Sequence, residues 1–562
     1  MKKPKLTELT LREKIGQLLL GYQYDINRKT EVDANILRTP EEKKEFLENE
    51  KYGTLWAQTG HVSMGTDMAE ESHSGGNFSR SFGEWIVEES NCYKIPALTA
   101  LDAEQNGAGM LFPDLTTVCG PMAISAANDE KLAFELGAAV ARELRCAGVT
   151  WRWAPVVDLA CRFNPSMQRS FSADNVEKQI RMGAAVANGM QSEGVAATAK
   201  HFPGGDEVEY RDSHFASTCN SSTYEQWMER QGKVFQGMID SGVYAVMTGH
   251  KAFPAVDDTM IKGRYIPTTT SRKIVTELLK EKMGFKGVVI TDGIVMGGLY
   301  SLYSYEELII NLVNAGNDVI LGVKPHTGEI IEKAVSDGII PEERINDACQ
   351  RVLDMKEKLG MFEDGYCQMK YKAEEVIPKT KKISDEICRR GITLLYDKNK
   401  LLPLNKEKIK TVTIICSAHV DFFYDCLIEY MKPEFEKRGA KVRVQRRIAS
   451  FDEMDAIASE SDLIIYAAYV NAHQPMGMPS LYGDECRTFL YAFSAGREKS
   501  IGVSMGYPYL HYDLITNADT FINTYGRDPS MISAFVEGIY GEMPFTGVSP
   551  VRLTPDPNRK LW

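Results

Sequence analysis

The stretch KGVVITD, residues 286–292, joins a run of β-branched residues to a terminal carboxylate. Its apolar residues do not alternate with polar ones, which is typical of a strand buried on both faces of a parallel sheet. Seven other runs of this kind occur, and stretches with helical spacing separate them. They are QLLLG (17–21), YGTLWA (52–57), PALTALD (96–102), GVTWRWAP (148–155), VAATAKHF (195–202), YAVMTGH (244–250) and NDVILG (317–322). Eight strands alternating with helices predict a (β/α)8 barrel of the TIM type, with insertions.

A second alternation of strands and helices begins near residue 380, where DKNKLLPLNKEKIK (397–410) is typical of a loop entering a new domain. Its strand-like runs are TVTIICSA (411–418), AKVRVQR (440–446), DLIIYAAY (462–469), KSIGVSMG (499–506) and DTFINTYG (519–526). These runs predict a doubly wound α/β sandwich of three layers. We therefore predict two domains, a catalytic barrel over residues 1–375 and an α/β sandwich over residues 376–562.

The composition of the chain indicates which binding partners and which cellular location to expect. The chain has 562 residues, a net charge of -12 and no evident basic patch, so its surface would repel nucleic acid and anionic membranes. No run approaches the roughly 18 apolar residues of a membrane span. The eleven Cys residues lack CxxC pairs and metal-site spacing, as in a reduced cytosolic protein. We expect a cytoplasmic location and neither a nucleic-acid nor a membrane partner.

Polar side chains end several of the barrel strands. Asp102, the pair Lys200 and His201, His250 and Asp292 each close one of the runs quoted above. Because active sites of such barrels lie at the carboxyl ends of the strands, we expect these groups to converge. Each could instead be structural, as a helix cap or an internal ion pair. Together they suit cleavage of a glycosidic bond, in which a carboxylate attacks the anomeric carbon and an acid protonates the leaving oxygen.

Several longer blocks resemble, in this order, the motifs of family 3 glycoside hydrolases, particularly their β-N-acetylglucosaminidases. In the first half they are LTLREKIGQLLLG (9–21), IPALTALDAEQNG (95–107), WAPVVDLACRFNP (153–165), RSF (169–171), KHFPGG (200–205), RDSH (211–214), GFKGVVITDGIVMGGL (284–299) and AGNDVIL (315–321). In the second half they are GITLLYDKNKLLPL (391–404) and GVSMGYPYLHYD (502–513). The resemblance covers nearly the whole chain and implies the same two-domain fold.

The resemblance also implies roles for individual residues. Asp292 would be the nucleophile, and His214 the acid/base, carried on a loop and oriented by Asp212. A His suits this role because its unperturbed pKa lies near 6.5 and it can both give and take a proton at neutral pH. Contacts with the sugar are implied for Asp102, Arg169, Lys200 and His201. His250 is either a further sugar contact or a core histidine bonded to backbone. No metal or organic cofactor is implied.

The loop KHFPGGDEVEYRDSHFAS, residues 200–217, departs from the family pattern. It lacks the His that usually follows "PG", and its DSH stands one residue further on. Glu207 or Glu209 is therefore an alternative acid/base. QNGAGM (105–110) also replaces the usual GGR and removes one Arg contact. Both changes lie where selectivity for the sugar would be set.

Three functions remain open at this point. The first is a retaining, exo-acting β-N-acetylglucosaminidase that forms a glycosyl-Asp292 intermediate on a small glycoside or glycopeptide. A close variant is a phosphorylase of the same glycosides. The second is a family 3 enzyme with a different sugar preference, of the β-glucosidase type. The third is a non-catalytic sugar-binding or regulatory protein on a hydrolase scaffold. The sequence leaves open whether the second domain supports a homodimer.

Overall fold

The computed structural model describes residues 2–27, 29, 37–56, 78–90, 92–160, 162, 165–418, 420–470, 481, 483–513 and 515–553. Four residues of the quoted runs and blocks, Ala57, Cys161, Phe163 and Asn164, lie outside this set. The chain forms two compact units. The first contains Met1–Thr117, Ala133–Asp158 and Gly183–Lys381, and the second contains Val118–Leu132, Leu159–Met182 and Lys382–Trp562. The domain boundary between residues 375 and 376 stays a prediction.

A parallel sheet forms the centre of the first unit. Its strands are β1 (Leu20–Tyr22), β2 (Thr54–Trp56), β3 (Leu98–Leu101), β4 (Trp151–Arg152), β5 (Ala196–Phe202), β6 (Ala245–Thr248) and β9 (Val288–Thr291). Between β6 and β9, a separate antiparallel hairpin contains β7 (Met260–Ile261) and β8 (Arg264–Tyr265). The strands of the parallel sheet pair in the order β1-β2-β3-β4-β5-β6-β9. Parallel bridges from Val319 to Ile290 and from Ile320 to Leu19 join the two ends, so the predicted eighth strand is a pair of bridges that closes the barrel.

The helices of the first unit surround these strands. Those that lie wholly or partly in it are Leu11–Gly16, Gln23–Asn27, Pro40–Glu50, Phe78–Ser90, Glu130–Cys146, Val176–Ser192, Tyr224–Glu229, Gln231–Asp240, Lys273–Lys282, Gly297–Tyr300, Tyr305–Ala315, Thr327–Ser336, Glu342–Lys358 and Ala373–Gly391. Short 3-10 turns occur at Leu6–Glu8, Gly107–Met110 and Thr268–Thr270. Every residue of β3, β6 and β9 is buried, which explains the non-alternating pattern of the sequence.

The helix Tyr305–Ala315 illustrates how local sequence sets these elements. Ser304 and Glu307 form a reciprocal capping box at its start, because the Glu307 side chain accepts from the Ser304 N–H (2.9 Å). Leu308 and Leu312 face a buried apolar cluster of the first unit. Gly316 ends the helix with φ 116°, in the left-handed region that favours glycine. The chain then enters the bridges that close the barrel.

The second unit contains a mixed sheet. Its strands are β10 (Thr393–Asp397), β11 (Thr411–Ser417), β12 (Lys441–Gln445), β13 (Leu463–Ala468), β14 (Ser500–Ser504) and β15 (Thr520–Asn523), paired in the order β10-β15-β14-β13-β11-β12. Only β10 is antiparallel to its neighbour. It is also the strand that the sequence pattern missed, because four of its five residues are only half-buried and its run is not continuously apolar.

Helices flank this second sheet. They are Pro121–Ala127, Asp421–Cys426, Leu427–Met431, Lys432–Glu436, Phe451–Glu460, Gly483–Tyr491, Leu510–Asp513 and Pro529–Ile539, with 3-10 turns at Pro165–Gln168 and Arg497–Lys499. The predicted α/β architecture, a TIM-type barrel followed by an α/β sandwich, is confirmed. Among the helices that the structure describes, none is both long and apolar enough to cross a bilayer.

Candidate active site

The carboxylate of Asp292 lies immediately after β9, at the carboxyl end of the barrel. Its backbone N–H donates to the carbonyl of Thr248 at the end of β6 (2.8 Å), and Gly293 N–H donates to Asp292 Oδ1 (2.8 Å). Asp292 is not a helix cap, since the next helix begins after Met296. Burial raises the pKa of Asp292, but electrostatic attraction to four nearby basic side chains outweighs it and holds that pKa below its ordinary value. These groups are His201, His250, His214 and Lys200.

His250 supports the turn that carries Asp292. Its side chain is 1% exposed, and both ring nitrogens are engaged within the protein. Nε2 lies 2.8 Å from the Gly293 carbonyl and Nδ1 lies 3.0 Å from Thr269 Oγ1. A carbonyl can only accept, so Nε2 carries the proton and Nδ1 accepts from the hydroxyl. Burial lowers the pKa of His250, which favours this neutral form. The placement favours the interpretation of a core histidine over that of a sugar contact.

Lys200, the third residue from the end of β5, anchors the loop after β3. The Lys200 side chain is 2% exposed, and its Nζ contacts Asp102 Oδ1 at 2.8 Å and also a Glu104 carboxylate oxygen. The Asp102 side chain remains 40% exposed. The buried Arg152 guanidinium donates to the carbonyls of Ala103 and Glu104, and burial lowers the pKa of Arg152 to about 10. Lys200 therefore forms the internal ion pair that was the structural alternative for this residue. The pair holds the exposed carboxylate of Asp102 at the carboxyl ends of the strands.

His201 is oriented by an acid that sequence reasoning did not select. Its Nδ1 lies 2.7 Å from Asp158 Oδ2, and its backbone N–H also donates to that carboxylate. Asp158 is buried just after Val156, which bridges to Lys200 in parallel fashion. The bond turns the other ring nitrogen, Nε2, away from Asp158. Glu104 and Asp158 both stand inside the quoted blocks, three residues after β3 and two residues after Val156, where a search just beyond the strands could have selected them.

The DSH triplet forms the predicted dyad. His214 Nδ1 lies 2.7 Å from Asp212 Oδ1, and the His214 backbone N–H donates to the same oxygen (2.9 Å). The His214 ring is partly exposed, whereas the Asp212 carboxylate is largely buried. Asp212 therefore holds the ring with Nε2 directed away from it, as a carboxylate does in other catalytic pairs.

Two other acids hold the loop that carries the dyad. Asp206 accepts hydrogen bonds from the backbone of Val208, Glu209 and Ser221. Glu209 accepts from Arg211 and from the Cys219 N–H. Burial raises the pKa of Glu209, but these bonds outweigh it and keep the pKa below its ordinary value.

The two glutamates considered as a substitute acid are thus both paired elsewhere. Glu209 stabilises the loop as an ionised carboxylate, and Glu207 pairs with Arg230 at 2.8 Å. Neither arrangement suits a group that must arrive protonated at a leaving oxygen. His214 is the better candidate for the acid/base.

The dyad loop packs on the segment that follows Asp292. Gly297 N–H donates to the His214 carbonyl (2.9 Å), and Gly298 N–H donates to the Ser213 carbonyl (3.2 Å). A Cβ at Gly298 would lie 2.6 Å from the Ala216 oxygen and 2.8 Å from the Ser213 oxygen. Only glycine allows this approach of two backbones. The proposed nucleophile and acid/base are therefore carried on segments that contact each other.

Seven of the eight predicted site residues lie in the first unit, at the carboxyl ends of its strands or on the loop after β5. The eighth, Arg169, lies half-buried in the second unit, directly after the turn Pro165–Gln168. Its contact with a sugar stays a prediction. Within the described part of the chain, no group of three His, Cys, Asp or Glu residues is arranged to hold a metal ion.

Comparison with known proteins gives related enzymes. Residues 10–355 match the model of the glycosyl hydrolase family 3 N-terminal domain. A β-N-acetylglucosaminidase/β-glucosidase of Cellulomonas fimi is 27% identical over 540 residues, covering 90% of this chain and 94% of that protein. A β-hexosaminidase of Tolumonas auensis is 32% identical over 248 residues, covering 43% of this chain and 70% of that protein.

Solved structures are similar over almost the full length. A β-glucoside phosphorylase, BglX, bound to 2FGlc, is 26% identical with a TM-score of 0.79, covering 97% of this chain and 95% of that chain. A family 3 β-N-acetylglucosaminidase from Paenibacillus sp. shares the fold with a TM-score of 0.78 at 23% identity, covering 97% of this chain and 99% of that chain. With the family model matching more than half of its residues, the chain belongs to glycosyl hydrolase family 3 and is a glycoside hydrolase.

Proposed function

We propose that this enzyme is a retaining, exo-acting β-N-acetylglucosaminidase in which Asp292 is the nucleophile and His214 the acid/base. One observation carries the proposal: the loop with the Asp212–His214 pair contacts the segment after Asp292. The contact is the 2.9 Å hydrogen bond from Gly297 N–H to the His214 carbonyl. A carboxylate held ionised and a histidine held by a carboxylate are the two groups that a two-step displacement needs.

The first step forms a glycosyl ester. The Asp292 carboxylate attacks the anomeric carbon as the bond to the leaving oxygen breaks, and Nε2–H of protonated His214 gives its proton to that oxygen. In the second step, neutral His214 takes a proton from water, the water oxygen bonds to the anomeric carbon, and the Asp292 carboxylate is released. The configuration is retained because the carbon is inverted twice.

The lowered pKa of Asp292 fits its role in the first step. A nucleophile must be ionised where the acid/base is still protonated, and the basic side chains near Asp292 favour that state. The proposed contacts for sugar hydroxyls are Asp102 and His201. Asp102 is paired with Lys200, and His201 is hydrogen-bonded to Asp158.

The nucleophile is tested by replacing Asp292 with Asn. We expect kcat for an aryl β-N-acetylglucosaminide to fall at least about 1,000-fold while the fold is retained, because no other group can form the ester. Asp337→Asn, at an exposed helix end, is the matched control. A 5-fluoro glycosyl fluoride should label the peptide that contains Asp292, and labelling of another residue would overturn the assignment.

The acid/base is tested by His214→Ala with two leaving groups. We expect a loss of about 100-fold or more with a poor leaving group and a much smaller loss with dinitrophenolate, which leaves without a proton. Equal losses with both would remove His214 from this role.

The preference for N-acetylglucosamine is tested by comparing the turnover of aryl β-N-acetylglucosaminide and aryl β-glucoside. Equal or faster turnover of the glucoside would contradict this preference.

A second candidate is phosphorolysis. Two observations favour it: the similarity to BglX over 97% of this chain, and an acid/base that is a histidine. A neutral imidazole does not repel incoming phosphate after the first step, whereas a carboxylate would. A phosphate oxygen would then attack the anomeric carbon, break its ester bond to Asp292 and release sugar 1-phosphate and the free Asp292 carboxylate. Formation of this product only when phosphate is added would select the phosphorylase, and rates and products indifferent to phosphate would exclude it.

A further inference from the structure

Two large apolar side chains are exposed on the segments that carry the proposed catalytic pair. Phe215 directly follows His214 and is 65% exposed, and Val295 stands three residues after Asp292 and is 71% exposed. The rings of His214 and Phe215 have centroids 6.4 Å apart and are tilted by 40°. Single apolar residues on a surface are ordinary, but apolar groups that border a reaction site often bind ligand.

The backbone holds Phe215 in this position. Phe215 N–H and Ala216 N–H both donate to the Asp212 carbonyl, at 3.2 and 3.0 Å. A Cβ built on Gly297 would lie 3.3 Å from the Phe215 carbonyl oxygen, so the two segments are in close contact. Val295 stands two residues before that contact. The exposure of Phe215 therefore follows from an ordered turn.

The chemistry of the site indicates what would cover these side chains. An acid that protonates the leaving oxygen must be within about 3 Å of it in the reacting complex. The rest of the leaving group then extends past His214, where Phe215 is its neighbour. Val208 and Tyr210 are also exposed on this loop, but they precede Asp212 and stand further from His214 along the chain than Phe215 does.

We propose that Phe215 and Val295 form an apolar platform for the leaving group, so that this enzyme prefers β-glycosides with an apolar aglycone. The proposal rests on the assignment of His214 as the acid/base. An alkyl or aryl group would remove the Phe215 ring from water, whereas a hydroxylated sugar in the same place would lose hydration without gaining partners there.

Alkyl glycosides give a direct test. Methyl and n-hexyl β-N-acetylglucosaminides leave as alcohols of similar acidity, so the ratio of their kcat/KM values reports contacts with the chain. We expect the wild-type enzyme to favour the hexyl glycoside about tenfold, and Phe215→Ala with Val295→Ala to reduce this ratio about 5- to 10-fold, to a value near one. Phe215→Leu should retain most of it, because leucine keeps an apolar surface.

The control is Ile339→Ala, which removes an exposed apolar side chain between the helices Thr327–Ser336 and Glu342–Lys358. It should leave the ratio unchanged. A wild-type ratio near one, or a ratio unaltered in the double variant, would overturn the platform. So would a change of association state in the double variant with the ratio intact, since the patch would then bind a second copy.

The outcomes separate the platform from the proposed function. Failure to cleave any methyl β-glycoside would overturn the function. If glucosides are cleaved in place of N-acetylglucosaminides, the same pair of alkyl aglycones on glucose gives the same test.

Discussion

The His250 ring bonds to the Asp292 turn through one nitrogen and to the 3-10 turn Thr268–Thr270 through the other. Its Nε2–H bond to the Gly293 carbonyl orients the peptide next to the nucleophile, and Thr269 selects the tautomer that can make this bond. His250 is therefore a positioning residue for Asp292. The sequence pattern correctly predicted that His250 follows a barrel strand, β6. Only the structure shows that the His250 side chain is buried.

Replacing His250 separates positioning from binding. In His250→Ala the Gly293 carbonyl and the Thr269 hydroxyl lose their partner inside the protein, and we expect kcat to fall about 10- to 100-fold with KM changed less than about threefold. His250→Gln can still donate from its amide and should recover most of kcat. Steady-state kinetics check this, with circular dichroism to verify folding. A rise in KM alone would instead indicate a sugar contact.

At the scale of elements, two loops from different strands contact each other and carry the residues of the proposed reaction site. The loop after β5 carries His214, and the segment after β9 carries Asp292 and the two glycines that receive the loop. Asp206 and Glu209 hold the first loop from within. These bonds hold the loop that contains the extra residue before DSH, and Asp212 and His214 are paired on that loop.

A side chain at Gly298 should disturb this contact. In Gly298→Ala the new Cβ would collide with the carbonyl oxygens of Ala216 and Ser213, so the loop must move. We expect kcat/KM to fall about 10- to 100-fold, since misplacement of a catalytic group by about 1 Å has effects of that size. Michaelis–Menten measurements check this.

The matched control is Gly120→Ala, where a Cβ meets only the Tyr525 oxygen at 3.9 Å. It should retain near wild-type activity. Normal kcat/KM in Gly298→Ala would show that the loop contact does not set the position of His214.

For the whole molecule, a buried lysine makes stability depend on pH. Lys356 lies in the helix Glu342–Lys358, is fully buried, and donates to Gln17 Oε1 at 2.6 Å. Burial lowers the pKa of Lys356 to about 7 from its ordinary 10.5. Below pH 7 both folded and unfolded chains bind the proton. Between pH 7 and 10.5 the unfolded chain binds more, so this group makes the free energy of unfolding rise with pH.

Lys356→Met should remove that dependence. We expect the melting temperature of the variant, relative to wild type, to be highest near pH 6 and to decline by about 2–5 °C toward pH 9.5. Thermal denaturation between pH 6 and 9.5 measures how the difference in melting temperature changes with pH. The control Lys286→Met, at an exposed site, should show no such change. A constant difference at every pH would mean that Lys356 stays protonated in the folded protein.

Local pattern was sufficient for most of the architecture. Runs such as KGVVITD report burial on both faces of a strand, and capping residues such as Ser304 report helix starts, because both are properties of neighbouring residues. The same reasoning failed for β10, whose strand character depends on pairing with β15, more than 120 residues later in the chain. It also predicted a full eighth strand where the structure has two bridges.

The sequence by itself determined which residue types stand at the strand ends, and hence that an acid, a lysine and histidines would meet at one edge of the barrel. Tertiary structure alone decided their partners. His201 pairs with Asp158 across 43 residues and Lys200 with Asp102 across 98, and His250 turns both nitrogens inward. These choices depend on the register between strands and on the direction of each side chain, which are set by packing of the whole barrel and not by local order.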